Sequence, residues 1–404
     1  MTNRTKMLRI VALAALLPVA ACSDLLQVES PGRIQDTDLG TKDAIPGMTV
    51  GMEFDLSQAV DGLQEFLALA AVDLYHGGSY NWLDIPRGVW TDEDIGGEWN
   101  SPQQARWVAE TGVERMKELM ETTEFSRSQY AARAYIAAGY SNRILGANFC
   151  SSVIDGGPEV SNTVHFDRAK EQFSAAIPIA QAAGKTDLVN AAYAGLAQIK
   201  MYAGDWAGAA SDAAKVPVDF VYNAEIDTEL RNEITYETHA RNEYTVWGTF
   251  MESHPDDPRA PWIIAYNADG SIQNGANGST PHYRQKKYTE NDSDVALARG
   301  TEMLLIRAEA ALRGNDIPGA YALMNQARAF WSMDPLPVAG TAAAAFADLR
   351  FERGATTWLE GRRFADLRRW YADSGAAHDD FLASREKCLP IARAERLSNE
   401  NLKG

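Results

Sequence analysis

No segment of the sequence carries a complete signature of a known catalytic site. The spacings of a zinc-protease helix (H-E-x-x-H), a thiol redox pair (C-x-x-C), a serine-hydrolase turn (G-x-S-x-G) and a dinucleotide-binding turn (G-x-G-x-x-G) are all absent. Gly184-Lys185-Thr186 matches the end of a phosphate-binding loop, but Ile179 stands where that loop requires glycine. The six histidines show no ligand spacing. The sequence therefore predicts no cofactor and no metal site.

Carboxylates are the remaining groups with possible chemistry. Asp92-Glu93-Asp94 and Asp256-Asp257 form two acidic clusters, and such groups can bind Ca²⁺ or hydrolyse a glycosidic bond as a pair. Asn267-Ala268-Asp269-Gly270 has the start of a calcium loop without its remainder. Solvated loop charge is the simpler interpretation of all three segments. A surface glycosidase that uses two loop carboxylates stays open as one interpretation.

Aromatic residues are concentrated where the sequence lacks a helical period. Residues 75–100 combine several rings with six glycine or proline positions, which favour loops. Flat rings in a loop suit stacking on sugars or packing on peptide side chains, although local packing explains each ring equally well. The predicted ligand contacts are, in order of preference, Trp82, Trp90 and Trp99, followed by Tyr80, Tyr283 and Tyr288. The tryptophans that follow helical patterns are predicted to be core, namely Trp107, Trp206, Trp331 and Trp358.

The N-terminus has the three parts of an export signal. Arg4, Lys6 and Arg9 precede an apolar run over 10–21, which is too short to span a bilayer. Val19-Ala20-Ala21-Cys22 then resembles the lipobox of bacterial lipoproteins, in which the cysteine is acylated. We expect a signal peptide over 1–21, a lipidated tether over 22–50 and one domain over 51–404. Lipidation of Cys22 would anchor the protein stably, because several acyl chains hold better than one.

The net charge and the cysteines indicate which partners and which cellular compartment to expect. The formal net charge is −17, and it becomes about −20 when the three N-terminal cations are removed. Such an acidic protein repels phosphate backbones, so nucleic acid is not an expected partner. With Cys22 assigned to lipid, Cys150 and Cys388 remain, and an exported protein favours a disulfide between them. Two buried free thiols are the alternative.

The body of the chain predicts a mainly α fold. Three stretches resemble pieces of tetratricopeptide repeats: one around Ala169, Phe173 and Ala176, one over 193–209 and one over 306–327. Long irregular segments interrupt them, chiefly at about 75–100 and 217–295. We expect a tetratricopeptide-like helical-repeat scaffold with long irregular loop insertions. Insertions in repeat proteins gather on one face, which is often the binding face.

Several motifs, in a shared order, carry a resemblance to a known family. They are Cys22-x-Asp24-Leu25-Leu26 with Pro31, Asp257-Pro258-Arg259, the run over 301–310, Glu352-Arg353 with the run over 358–370, and Leu389-Pro390-Ile391 with Glu395 and Asn399. In these the chain resembles the RagB/SusD family of outer-membrane nutrient-binding lipoproteins. The charged run around Arg362 and Asp366 also has a simpler interpretation, as a salt-bridge clamp on a helix.

The resemblance implies a role without covalent chemistry. Members of the family bind a nutrient, a glycan or a peptide, outside the cell and act as a lid on a TonB-dependent outer-membrane transporter. The chain is then expected to be lipid-anchored in the outer membrane, facing the exterior, and not to be an enzyme. Two alternatives remain: the surface glycosidase, and a scaffold that uses its repeats to bind other proteins.

Overall fold

The computed structural model describes residues 39–80, 82–227 and 229–403. The predicted signal peptide and Cys22 lie outside these residues, as does most of the tether. The chain divides into two units, residues 1–44 and residues 45–404. Of the first unit, the structure describes residues 39–44, which end in a 3₁₀ turn at Lys42–Ala44. The second unit holds the remaining elements described below.

Helices form most of the second unit. In chain order they are α1 (Ile45–Ala70), α2 (Gly96–Leu119), α3 (Thr122–Phe125), α4 (Gln129–Asn148), α5 (Val164–Ala182), α6 (Thr186–Tyr202), α7 (Trp206–Ala213), α8 (Glu233–Thr235), α9 (Gly300–Arg313), α10 (Ile317–Phe330), α11 (Ala342–Thr356), α12 (Arg363–Tyr371) and α13 (Arg393–Ser398). A π-helical turn, Tyr236–Ala240, follows α8. Short 3₁₀ turns lie at Ile85–Arg87 and Glu400–Leu402. The prediction of a mainly α fold is confirmed.

The predicted repeats correspond to packed helix pairs. Helices α4, α5, α6 and α7 pack in succession, and α9 packs on α10. The Phe173 ring of α5 lies against Gly139 and Gly195, where an added Cβ would come within 2.6 and 2.3 Å of ring atoms. Small residues at these positions therefore permit the close helix packing that the repeat pattern predicted. Asp205 and Asp316 cap α7 and α10 by accepting hydrogen bonds from backbone N–H groups at their first turns.

The strands are short and pair in twos. They are β1 (Tyr75–His76), β2 (Ser151–Val153), β3 (Glu159–Ser161), β4 (Val221–Ala224), β5 (Tyr244–Thr245), β6 (Trp262–Ile264), β7 (Tyr283–Gln285) and β8 (Val295–Arg299). The antiparallel pairs are β1–β5, β2–β3, β4–β8 and β6–β7. A further bond from the Val246 N–H to the Tyr283 carbonyl places the β1–β5 pair beside the β6–β7 pair. These two pairs belong to the segments predicted as loop insertions.

A disulfide joins the end of α4 to the C-terminal segment. The structure bonds Cys150 to Cys388, whose Cα atoms are 5.1 Å apart. Next to it, Phe149 and Leu389 form an isolated parallel bridge. The indole N–H of Trp90 donates to the Cys388 carbonyl at 3.3 Å. The bridge therefore fixes the closing Leu-Pro-Ile segment against the scaffold.

Two expectations about helical residues need comment. Trp107 on α2 was predicted to be core, but 53% of it is exposed, so that prediction is wrong. The helical pattern around Trp107 is real, but the residue lies on the solvent-exposed face of α2, away from the face that packs on α1 and α4. Trp358 is fully buried, as predicted. Within the described residues, no helix has the length and apolar character needed to cross a bilayer.

Candidate ligand-binding surface

Three loops from distant parts of the chain meet at one place, which we call the loop junction. They are residues 77–80 after β1, residues 236–243 before β5, and residues 275–280 before β7. The Gly77 N–H donates to the Glu243 carbonyl at 2.8 Å, and the Asn277 N–H donates to the Gly77 carbonyl at 3.0 Å. The Ala276 N–H donates to the Asn242 carbonyl at 2.9 Å. Backbone bonds therefore hold all three loops together.

Glycine is required where these loops touch. A Cβ on Gly275 would lie 2.4 Å from the Gly77 carbonyl oxygen and 3.1 Å from that of Asn242. A Cβ on Gly78 would lie 1.6 Å from a carboxylate oxygen of Glu243. At Gly275 the backbones approach too closely for any larger residue, while at Gly78 a side chain would displace the Glu243 carboxylate. The glycines that predicted loops in these segments also allow the loops to contact one another closely.

Two tyrosine rings and an arginine line the junction. The Arg241 guanidinium lies 4.3 Å from the ring centroid of Tyr80 and 5.9 Å from that of Tyr236. Arg231 stacks on Tyr236 at 3.5 Å. Both rings are half-buried, and Arg241 is exposed. Cation–π contacts of this kind fix a ring in orientation without covering all of it.

Two carboxylates anchor the same loops. The Tyr80 hydroxyl donates to Glu237 at 3.2 Å, and the Ser79 N–H donates to Glu243 at 2.9 Å. Arg241 approaches both carboxylates, at 3.5 and 3.9 Å. Burial raises the pKa of Glu237 above its ordinary value, and it outweighs the opposing effects of Arg241 and Tyr80. The surface thus combines rings with hydrogen-bonding groups of both signs.

A second group of rings lies on the neighbouring strands. Tyr75 and Trp247 meet edge to face with centroids 6.2 Å apart. Trp262 and Tyr283 stack with centroids 5.1 Å apart and planes inclined by 5°. Trp262 is buried, whereas the other three rings are half-buried. This aromatic layer extends the junction along the β5–β7 edge.

Three of the predicted ligand contacts belong to the core instead. Trp90, Trp99 and Tyr288 are 5%, 1% and 3% exposed, so none of them presents a free ring face. Trp90 packs edge to face on Phe66, and Trp99 on Phe149. The Tyr288 hydroxyl donates to the Leu359 carbonyl at 3.1 Å. We assign these three residues to packing that fixes the long loops, which is the alternative the sequence left open.

The other three predicted contacts have partly accessible rings. Tyr80 lies at the junction itself, and Tyr283 lies in the adjacent aromatic layer. Trp82 packs edge to face on Phe66 and has a positive φ of 64°, a conformation that non-glycine residues adopt rarely. Ligand contact by these three residues stays a prediction.

Sequence reasoning missed Tyr236, Glu237, Arg241 and Glu243. They fall in the run Tyr-Glu-Thr-His-Ala-Arg-Asn-Glu-Tyr over 236–244, which alternates rings, acids and a base within a predicted insertion. That density of polar and aromatic groups was the available signal. No single residue in the run stands at a recognisable spacing, because the site is completed by loops about 160 residues away.

The clefts on the helical scaffold differ from the junction. One, of about 1070 Å³, has Trp107 on its wall and Glu110 within it. Glu110 accepts hydrogen bonds from Arg168, Asn142 and Gln172. The Glu110 carboxylate is therefore already bonded within the scaffold. Among the described residues, no group of three or more His, Cys, Asp or Glu side chains is placed to hold a metal ion.

Comparison with known proteins agrees with the fold. Residues 220–400 match the family model described as the SusD family. No curated protein matches the chain. A SusD homolog from Bacteroides thetaiotaomicron superposes with a TM-score of 0.70 at 14% identity, over 90% of this chain and 97% of that one.

Two further solved structures have the same fold. A SusD superfamily protein from Parabacteroides distasonis superposes with a TM-score of 0.69 at 14% identity, over 89% of this chain and 98% of that one. Surface glycan-binding protein A from Bacteroides uniformis superposes with a TM-score of 0.61 at 16% identity, over 90% and 99% of the two chains. Residues 220–400 thus belong to the SusD family by this match, and the order of the sequence motifs and the shared fold agree with it.

Proposed function

We propose that this protein is a surface lipoprotein that binds a glycan at the loop junction and delivers it to a TonB-dependent outer-membrane transporter. One observation carries the proposal: three loops join to present half-buried tyrosine rings beside carboxylates and an exposed arginine. One structurally similar protein is itself named as a surface glycan-binding protein. Membership of the SusD/RagB family supports the same role.

The chemistry of the junction suits a sugar. The C–H face of a pyranose can pack on Tyr80 or Tyr236, whose rings are half-buried, while Glu237 and Glu243 are buried and hold the loops beneath it. Arg241 supplies donors in a fixed planar arrangement. The loops are joined by backbone hydrogen bonds before any ligand arrives, which lowers the entropy cost of binding.

A glycan array followed by calorimetry on the positive oligosaccharides tests the site. Tyr80→Ala and Tyr236→Ala should each weaken binding by about 1–3 kcal/mol, a figure taken from aromatic stacking on bases. Trp107→Ala is the matched control, because it removes an exposed ring from the scaffold, and its affinity should equal that of the wild type. Wild-type affinity in both tyrosine variants, with intact folding, would move the ligand away from the junction.

The anchor is a separate part of the proposal. If Cys22 carries acyl chains, Cys22→Ala should release the protein from membranes into the soluble fraction. Retention of the variant on membranes after a high-salt wash would contradict lipid anchoring. This test does not depend on the identity of the ligand.

The resemblance to the SusD/RagB family supports a partnership with a TonB-dependent transporter. We expect a mild-detergent extract of the native membrane to yield the lipoprotein together with a TonB-dependent transporter. A lid should bury well over the roughly 1,600 Å² of a standard interface. Recovery of the lipoprotein alone from several detergents, with the transporter gene expressed, would favour a free-standing binding protein.

One observation favours a second candidate function, that of a glycosidase. Glu237 and Glu243 lie beside one another at the candidate site, and a carboxyl with a raised pKa is suited to act as a general acid. Against this, both carboxylates already hold the loops through Tyr80 and Ser79. Incubation of the purified protein with a bound oligosaccharide decides the matter: we expect the chain length to be unchanged, and shortened products would establish a glycosidase.

A further inference from the structure

A cluster of carboxyl groups lies directly beneath the loop junction. Asp61 and Glu65 on α1 face Glu233 and Glu237, and Glu243 follows on the loop that leads to β5. The cations that reach this cluster among the described residues are Arg231, which pairs with Glu233 at 2.7 Å, and Arg241 at the surface. Five carboxylates against two guanidinium groups would leave a net charge of −3 if all were ionised.

The cluster connects the scaffold to the loops through hydrogen bonds. The Tyr244 hydroxyl donates to Glu65 at 2.7 Å, and the Glu233 N–H donates to Asp61 at 3.1 Å. Glu237 in turn accepts from Tyr80. A change of charge on α1 therefore acts on the same π-helical turn that positions the Tyr80 ring.

We propose that this carboxyl cluster makes the loop junction pH-responsive, ordered when Asp61 and Glu65 are neutral and loosened when they ionise. The effect on ligand capture rests on the proposed function, since it assumes that the junction is the binding site. The effect on loop ordering does not. Ligand would accordingly be held most tightly at mildly acidic pH and more weakly in alkaline conditions.

The titration behaviour of the two α1 residues supports the geometry. Burial raises the pKa of Asp61 to about 7, and the nearby Glu233 adds to the shift. Burial likewise raises the pKa of Glu65 to about 8, with contributions from Glu237 and Glu233. Both groups are neutral near pH 6 and charged above pH 9. Repulsion among like charges in a poorly solvated site then separates the π-helical turn from α1.

The other titratable groups around the cluster do not oppose this change. Burial and the neighbouring carboxylates raise the pKa values of Tyr80 and Tyr244, so both phenols stay protonated throughout. Tyr288, behind Asp61, is also held neutral by burial. His76 packs on Tyr244, and its Nδ1 accepts a hydrogen bond from the Gly78 N–H. No cation is therefore gained as the carboxyl groups ionise.

Hydrogen exchange measured by mass spectrometry on the ligand-free protein tests the inference. Rates at pH 6 and pH 9 are corrected for the intrinsic pH dependence and compared with peptides from α9. In the wild type, protection of residues 77–80, 236–244 and 275–280 should fall about tenfold or more relative to α9, as expected for a pKa shift of at least one unit. An unchanged ratio in the wild type would overturn the inference.

Two substitutions test whether ionisation of Asp61 and Glu65 causes the loss of protection at pH 9. Glu65→Gln keeps an acceptor for Tyr244 but cannot ionise, and Asp61→Asn does the same for the Glu233 N–H. Each should retain protection at pH 9, whereas Glu229→Gln, which changes an exposed glutamate outside the carboxyl cluster, should behave like the wild type. If either α1 variant fails to fold, the other carries the test, and loss of protection at pH 9 in every folded α1 variant contradicts the inference. A negative glycan screen would count against the proposed function and leave this result standing.

Discussion

Two charge clusters in this protein contain buried carboxyl groups and behave in opposite ways. The first, which we call the C-terminal ion network, joins α9, α11 and α12. Its carboxylates are Glu302, Glu309, Glu360 and Asp366, and its cations are Lys287, Arg299, Arg313, Arg353, Arg362 and Arg369. The second is the carboxyl cluster beneath the loop junction, where the acids outnumber the bases.

The contrast is clearest between single glutamates. Burial alone would raise the pKa of Glu309, but Arg369, Arg353 and Arg313 outweigh it and hold the pKa at about 2. Glu360 is held at about 2 in the same way by Arg299, Lys287 and Arg362. Glu65 lacks such neighbours, and burial raises its pKa to about 8. The local supply of cations, and not burial, decides whether a buried acid is charged.

The difference assigns different roles to the two regions. In the C-terminal ion network every carboxylate has at least one cation partner, and these ion pairs hold three helices in one arrangement. In the carboxyl cluster, the loss of protons leaves negative charges that no cation compensates, and these charges repel one another. The family motif over 352–370 thus contributes to the scaffold, while the responsive part of the molecule lies in the insertions.

Removal of Glu309 should have the largest effect. In Glu309→Gln the cations Arg369 and Arg313 lose their buried partner, and we expect a loss of about 3–5 kcal/mol in the free energy of unfolding. Urea denaturation measures it, with the exposed Glu229→Gln as control, expected to change stability by less than about 0.5 kcal/mol. A loss below about 1 kcal/mol would show that the network contributes little to the scaffold.

The disulfide should rank second. Replacement of Cys150 and Cys388 by serine frees the C-terminal segment from α4, and we expect a loss of about 2–4 kcal/mol. Hydrogen exchange should increase around Phe149 and Leu389, which pair beside the bridge. Exchange at residues 236–244 should not change. Equal loosening of both regions would mean that the scaffold and the junction are not independent.

Gly275→Ala should damage the junction while sparing the network. The added Cβ would lie 2.4 Å from the Gly77 carbonyl oxygen, so a backbone has to move, at an expected cost of about 1–3 kcal/mol. Gly97→Ala is the control, because its Cβ meets nothing within 4 Å and lies in α2. Glycan binding should fall in the first variant only. Retained affinity in Gly275→Ala would show that the loops need not meet.

The pH profile should show the smallest but most diagnostic effect. The depressed pKa values of Glu309 and Glu360 give stability that is complete above about pH 4.5 and lost as the pH falls towards 2. The raised values of Asp61 and Glu65 give stability that is complete below about pH 4 and lost as the pH rises through 7 to 8. The melting temperature should therefore be highest near about pH 5.

Substitution of Glu65 distinguishes the alkaline decline of the melting temperature from the acid decline. Glu65→Gln should reduce the alkaline decline of the melting temperature, by about 1–3 °C, and leave the acid decline unchanged. Differential scanning calorimetry from pH 3 to pH 9 measures both. An alkaline decline of wild-type size in this variant would assign it to other groups.

The features that could be predicted are those encoded by short, local sequence patterns. Helix periods and small-residue positions such as Gly195 located the packed pairs, because helix packing depends on residues three and four apart. The loop aromatics could not be sorted in this way. Trp90 and Trp82 have the same composition around them, yet Trp90 contacts Phe364 and the Cys388 carbonyl, both far along the chain.

The charged residues show the same limit. The sequence indicated a salt-bridge clamp around Arg362 and Asp366. Asp366 does pair with Arg369 on its own helix, but it also pairs with Arg353, and Arg362 pairs with Glu302, both from other helices. The junction residues Tyr236 and Arg241 gave no recognisable spacing. They acquire a role only through contact with Tyr80, about 160 residues away.

The sequence by itself determined the helical scaffold, the acidic charge and the resemblance to the SusD/RagB family, and it favoured a disulfide between Cys150 and Cys388 over two free thiols. These follow from local periodicity, composition and ordered motifs. Tertiary structure alone decided which rings are accessible, where the three loops meet and which buried acids lack a cation. Exposure and electrostatic environment are properties of neighbours in space, and long loop insertions bring together residues that no spacing along the chain connects.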